Sequence, residues 1–260
     1  MQFTQTIYTI WQREIIRYLR AKTRIISTLL QPIMFLVIFG VGFQKTLATG
    51  NFGLDFVQFM YPGIIAMSVM GTAIFSTIST VWDREFGFLK EILVTPTSRI
   101  AIALGKTAGA TSIASIQALI LLVLAPFIGV KISIAIILPL FALMILLAFA
   151  LSGLGLLISS LMKTTENFGL LMQMLIFPMF FLSGAFFPLT AVPKWMSVIA
   201  KINPLTYGVD AFRQIVLGNQ VPQSVLEKFA INSIFGDTLF LVGFSIIMVS
   251  AAVIAFNKKA

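Results

Sequence analysis

Two stretches of this chain carry residue types that could do chemistry. One is Gly105-Lys106-Thr107, which looks like the tail of a phosphate-binding loop. The chemistry would be nucleotide binding, with backbone amides around the phosphates and a lysine reaching their outer oxygens. The spacing rules this out. The motif needs a glycine five positions before its second one, and Ile100 stands there. A long apolar run follows instead of a soluble strand–helix unit. Lys106 therefore reads as an interfacial anchor at the start of a membrane span, and the chain has no visible means of hydrolysing ATP.

The second stretch runs from Trp82 to Arg99. Asp83, Arg84, Glu85, Lys90, Glu91 and Arg99 are interleaved there with Phe86, Phe88, Leu89, Ile92 and Leu93, between segments with almost no charge. Phe86, Leu89 and Leu93 fall at i, i+3 and i+7, on one face of a short amphipathic helix. Pro96 ends it. A helix this short is marginal alone in water, so it needs something to dock on. A solvated connection is the bland reading. The apolar face beside Trp82 favours docking, with apolar side chains in a partner's groove and rim charges setting the register.

Other chemistries are excluded by what is absent. The chain has no Cys and no His. That removes disulfides, thiolate and imidazole metal sites, Ser-His-Asp catalysis and histidine proton relays. The apolar runs contain no Asp, Glu, Lys or Arg in their interiors, which argues against a proton-coupled carrier or an intramembrane hydrolase. What remains inside them is uncharged: Gln31, Ser68, Thr72, Gln117 and Gln173 among many small residues. Helix packing accounts for most of these, and for Gly105-x-x-x-Gly109 and Gly153-x-Gly155. Gln31, Ser68, Thr72 and Gln173 are the candidates for a pathway.

The elements that must position these residues are helices in a membrane. The chain is 58% hydrophobic and 10% charged, against about 25% charged in a soluble domain. Charge-free runs long enough to cross a bilayer recur, and they are continuous rather than alternating, so the fold class is all-α and polytopic, not a barrel. Net charge is +9. Between apolar spans this points to anionic lipid and orientation signals rather than nucleic acid.

Residues 1–22 predict an interfacial helix. Phe3, Ile7, Ile10, Trp11, Ile15, Tyr18 and Leu19 share one half of the wheel, and Arg13, Arg17 and Arg20 lie opposite. Glu14 and Ile16 are the exceptions to the pattern. Six spans are expected at 24–43, 59–82, 107–128, 132–161, 167–187 and 235–256, with kinks at Pro32 and Pro178. The first is too long for a cleaved signal core and is expected to stay as an anchor. Residues 83–106 form a cytoplasmic loop, and 188–234 an external region with short re-entrant helices. Of the 18 Lys and Arg residues, 12 fall on the side of the two termini and six opposite. By the positive-inside rule both termini are cytoplasmic, in a plasma (inner) membrane.

Taken in order, several motifs resemble one family. They are Asp83-Arg84-Glu85-x-Gly87, Leu93-x-Thr95-Pro96-x-Ser98-Arg99, Gly105-Lys106, Phe181-Leu-Ser183-Gly184-x-x-Phe187-Pro188 and Asn203-Pro204-Leu205-Thr206-Tyr207. Together with six spans over a single 1–260 domain, they are similar to the type-2 ABC exporter permeases, nearest the drug- and antibiotic-resistance branch. The resemblance implies a membrane subunit without ATPase, bearing no cofactor of its own. ATP and Mg would sit on a cytoplasmic ABC ATPase present in two copies, and a second permease would complete a homodimer or heterodimer. It implies ATPase coupling through Asp83, Arg84, Glu85, Phe86, Gly87, Leu89 and Glu91. Trp11, Arg13, Arg17 and Arg20 would belong to a connecting helix. Phe187, Pro188, Asn203, Pro204 and Tyr207 would form an external gate. The pathway would be lined by spans 1, 2 and 5. Two rival readings are an ATP-independent channel or secondary carrier, and a non-transporting membrane assembly subunit.

Overall fold

Helix α1 (Gln2–Arg20) forms because its apolar residues recur at helical spacing, and it packs mainly against the helix Arg99–Leu124. Ile7, Ile10, Trp11, Glu14 and Tyr18 face the protein, whereas Phe3, Ile16 and Leu19 are exposed. After Ala21 the chain turns through 77° into α2 (Lys22–Leu47). The structure, a computed structural model, describes residues 2–47, 56–88, 97–130, 132–189, 192–218 and 230–259, with Glu91, Val94 and Leu226. The predicted kink residue Pro32 lies inside α2.

Helix α3 (Phe56–Ser76) is the centre of the molecule. Tyr61, Ile64, Ile65, Met70 and Ile74 are almost wholly buried, and the Tyr61 hydroxyl donates to the Leu121 carbonyl at 2.9 Å. A break at Thr77 separates α3 from α4 (Ile78–Glu85). The Thr77 hydroxyl donates back to the Ile74 carbonyl at 2.7 Å, a competition with the backbone that bends helices. Arg24 of α2 donates to the Phe75 carbonyl at 3.1 Å beside the break. The predicted loop thus begins as a helix that runs on from span 2.

Helix α5 (Arg99–Leu124) is followed by a short 3-10 turn and by Gly129 in the left-handed conformation at φ +85°. Then come α6 (Ile134–Leu161) and α7 (Thr165–Phe181). Two short helices follow, α8 (Lys194–Ile202) and α9 (Pro204–Leu217), before the last long one, α10 (Ile234–Lys259). The most extensive packing is between α6 and α10, and next between α1 and α5. Helices α2 and α7 are peripheral: α2 packs mainly on α3, and α7 on α3 and α4.

Among the described residues there is no strand. Four stretches are long and apolar enough to cross a membrane: Val57–Glu85, Arg99–Phe127, Ile134–Leu161 and Ile234–Asn257. The bent pair Phe3–Arg20 and Lys22–Ile38 makes a fifth if it is one span. α7, the predicted span 5, has 17 residues, or about 25 Å of helix, short of a ~30 Å hydrocarbon core. The outer surface is apolar, as lipid requires: Ile26, Leu30, Met34 and Val37 on α2 and Ile246, Ile247 and Ile254 on α10 are all exposed.

Candidate functional site

The charged residues of the two opening stretches meet each other. Asp83 lies in the last turn of α4, and Lys106 in the third turn of α5. Lys106 Nζ donates to Asp83 Oδ2 at 2.6 Å. Arg13 of α1 reaches the same carboxylate with both terminal nitrogens, at 2.7 and 3.2 Å. Arg17 stands 3.8 Å from it, and Glu14 is 3.6 Å from Lys106. Asp83, Lys106 and Glu14 are buried, so these are ion pairs that must be satisfied inside the protein. Burial works against the Arg13 guanidinium's charge, but the hydrogen bond and charge of Asp83 outweigh it and raise its pKa.

Lys106 is therefore not an interfacial anchor but the counter-ion of Asp83 inside the bundle. Glu14, the exception on the predicted α1 wheel, is buried because Lys106 lies beneath it. Two glycines make the approach possible. A Cβ on Gly105 would fall 2.8 Å from the Ile10 Cβ, and one on Gly109 would fall 2.7 Å from the Glu14 Cβ. Trp11 completes the seam, its indole N–H donating to the Ser112 hydroxyl at 2.9 Å. Arg13 and Arg17 also stack over Phe88 and Trp82, at 4.5 and 5.3 Å from the ring centres. Arg20 is exposed.

The next two residues turn the other way. Arg84 Nη1 donates to the Ser160 and Met162 carbonyls, at 2.8 and 2.7 Å, at the C-terminus of α6. Glu85 Oε2 accepts from the Thr165 amide, at 3.0 Å, at the N-terminus of α7. Asp83, Arg84 and Glu85 are thus all engaged within the chain. What they leave outside is apolar. Phe86 is 79% exposed, Phe88 41% and Val94 86%. Gly87 adopts φ +80°, a conformation that side chains disfavour, and redirects the backbone between the two phenylalanines. Glu91 is exposed, and Leu89 lies outside the described residues.

A cavity of about 850 Å³ lies between α2, α3 and α7. Gln31, Ser68, Thr72 and Gln173, the four pathway candidates, all line it. Gln117 of α5 forms its polar floor. Its amide nitrogen donates to Ser68 Oγ and to the Thr28 carbonyl, both at 2.9 Å, and its oxygen accepts from Thr72 at 2.6 Å. The remaining wall includes Met67, Phe75, Trp82, Ile176, Phe177 and Phe180, with Arg24 and Glu166 as its charged groups.

At the far end, Asn203 caps α9 by accepting from the Leu205 amide at 3.0 Å, and Pro204 occupies the first turn. The Asn203 side chain also donates to the Met179 carbonyl at 2.6 Å, tying α9 to α7. Tyr207 stacks on Phe240 of α10 with ring centres 3.7 Å apart, while Phe187 and Pro188 are half-buried. The sequence reading missed the strongest tether here. Buried Arg213 donates to the Gly184 carbonyl at 2.8 Å and covers the Phe59 ring at 4.2 Å. Its burial lowers its pKa to about 10, against the opposing charge of Asp210. An Arg three residues after Asp210 in a short helix was the available signal.

The chain is similar to known permeases over nearly all of this architecture. The E. coli K12 inner membrane transport permease YadH is 27% identical over 249 residues, covering 92% of this chain and 93% of YadH. The transport permease ycf38 of Cyanophora paradoxa is 29% identical over 214 residues, covering 81% of this chain and 74% of ycf38. The E. coli K12 multidrug ABC transporter permease YbhR is 34% identical over 174 residues, which is 64% of this chain and 46% of YbhR. Residues 5–217, which hold α1, the charged hub, the cavity walls and α9, match the family described as ABC-2 type transporter. The chain belongs to that family, as a membrane permease.

Proposed function

We propose that the chain is the permease of an ATP-driven exporter, with energy arriving from a separate cytoplasmic ABC ATPase. The observation that carries this is the apolar knob of Phe86 and Phe88, both exposed beside a buried charge hub. Exposed aromatic side chains on a rigid base are the anchors that protein partners use. Family membership supplies a partner of the right kind, and the excess of Lys and Arg around the knob supports a cytoplasmic position for it and for both termini. The six-span reading counts α2 and α7 as membrane-crossing, with the 182–187 turn lengthening α7.

The cavity supports an amphipathic cargo, drug-like, lipid or glycan-bearing. Its volume suits a drug-sized molecule or a lipid headgroup with part of its chain. Its wall offers apolar and uncharged polar groups, with one cation and one anion. Because α2 and α7 are peripheral and pack mainly on α3, a second permease copy facing them would close the cavity into a pathway.

Reconstitution in proteoliposomes with the ATPase subunit tests this. ATP-dependent movement of a fluorescent phospholipid or amphipathic dye is expected. Flux that runs down a gradient at the same rate without ATP or the ATPase sinks the reading.

A further inference from the structure

Arg84 and Glu85 are adjacent, oppositely charged, and bound to the two ends of one helix–turn–helix. The C-terminus of a helix carries partial negative charge on free carbonyls, and the N-terminus partial positive charge on free amides. Arg84 meets the first kind on α6, through Ser160 and Met162, and Glu85 the second on α7, through Thr165. Each charge faces the helix end that stabilises it, and exchanging the two would set both against it. The turn between them, Met162-Lys163-Thr164, is thereby gripped from α4 on both sides.

The grip has a mechanical meaning because of how α7 is held. Its main packing partners are α3 and α4. It also supplies one wall of the cavity, through Gly169, Gln173, Ile176 and Phe177. Whatever moves α4 must therefore move the cytoplasmic end of that wall.

We propose that Arg84 and Glu85 are positioning residues that clamp the α6–α7 turn to α4, so that displacement of the exposed knob at Phe86 is delivered to α7 and changes the cavity. This rests on the ATPase-driven reading above. The pair touches neither cargo nor ATPase; it carries motion between them.

The test uses the full chain assembled with its ATPase subunit in proteoliposomes. The chain has no cysteine, so spin labels at Leu19→Cys and Lys163→Cys, both exposed positions, report on the turn relative to α1. In the otherwise unsubstituted chain, ATP shifts the label separation and drives dye flux. In Arg84→Ala/Glu85→Ala, the ATPase stays bound and turns over ATP, the separation no longer responds, and flux per ATP falls at least tenfold. Glu85→Gln recovers part of the flux relative to Glu85→Ala, because its amide oxygen can still accept from the Thr165 amide. An ATP-driven shift and a flux per ATP that persist in the double variant overturn the clamp while leaving the ATPase-driven reading intact. Loss of ATPase binding in the double variant also overturns the clamp, since the pair would then be a docking contact. If the double variant does not fold, Glu85→Ala alone carries the test, because the contact it removes is solvent-exposed and no buried charge is left behind. Absence of any ATP response in the unsubstituted chain removes the exporter reading, and the clamp with it.

Discussion

Lys106 Nζ and Asp83 Oδ2 are 2.6 Å apart in the interior, and this contact joins the end of α4 to the start of α5. Arg13 of α1 binds the same carboxylate, so three segments distant in sequence share one anion. Removing one member of such a buried set leaves the others uncompensated.

Asp83→Asn leaves Lys106 buried opposite an amide, and it is expected to cost about 3–5 kcal/mol of stability. The double variant Asp83→Asn/Lys106→Met removes the shortest pair and is expected to regain part of that, because Arg13 and buried Glu14 still face each other at 3.9 Å. Thermal melts in detergent, followed by tryptophan fluorescence, check both values. A double variant as unstable as Asp83→Asn would place the cost elsewhere.

Gly109→Val would put side-chain atoms where the Glu14 side chain lies, a Cβ alone being 2.7 Å from the Glu14 Cβ. Overpacking of this kind costs about 1–3 kcal/mol. The expected outcome is that α1 lifts from α5, read as faster proteolysis of the first 20 residues. Gly71→Val, at a position with nothing near its Cβ, serves as the control.

Phe86→Ala is expected to leave stability unchanged, since 79% of the side chain is already exposed. If Phe86 is an anchor, ATPase binding weakens by more than about 1 kcal/mol, roughly five-fold or more. Titration of labelled ATPase subunit onto the permease in nanodiscs measures it. Unchanged affinity would take Phe86 out of the docking surface.

Gly169→Phe fills part of the cavity from α7, where nothing stands within 4 Å of a built Cβ. The expected result is a several-fold loss of flux for larger cargo, with smaller cargo less affected and ATPase affinity unchanged. A flux loss independent of cargo size would point away from the cavity as the binding space.

Much of this was legible in the sequence because lipid imposes a simple rule. Backbone polar groups in hydrocarbon must bond within their own helix, so long apolar runs are helices. Gln31, Ser68, Thr72 and Gln173, singled out as uncharged polar residues in those runs, line one cavity. The charge hub was not. Composition marks Asp83 and Lys106 as charges at span ends, but their pairing depends on how α4 and α5 cross. The clue was Glu14, which breaks the amphipathic pattern of α1 and lies over Gly109. The break in span 2 was also hidden. Pro62 is the obvious breaker, yet it sits inside α3, and the interruption comes at Thr77. There a hydroxyl bonds back to the Ile74 carbonyl and Gly155 of α6 presses close, a Cβ on it falling 2.9 Å from Thr77 Oγ1.

That interruption divides the 29-residue span Val57–Glu85 in two. After it α4 carries Phe86 and holds the α6–α7 turn, while before it α3 is embedded through Tyr61, Ile64 and Met70. Any torque on the short segment passes also to α1 and α5, because Asp83 is held by Arg13 and Lys106. The foot of the buried pillar is thus common to three helices.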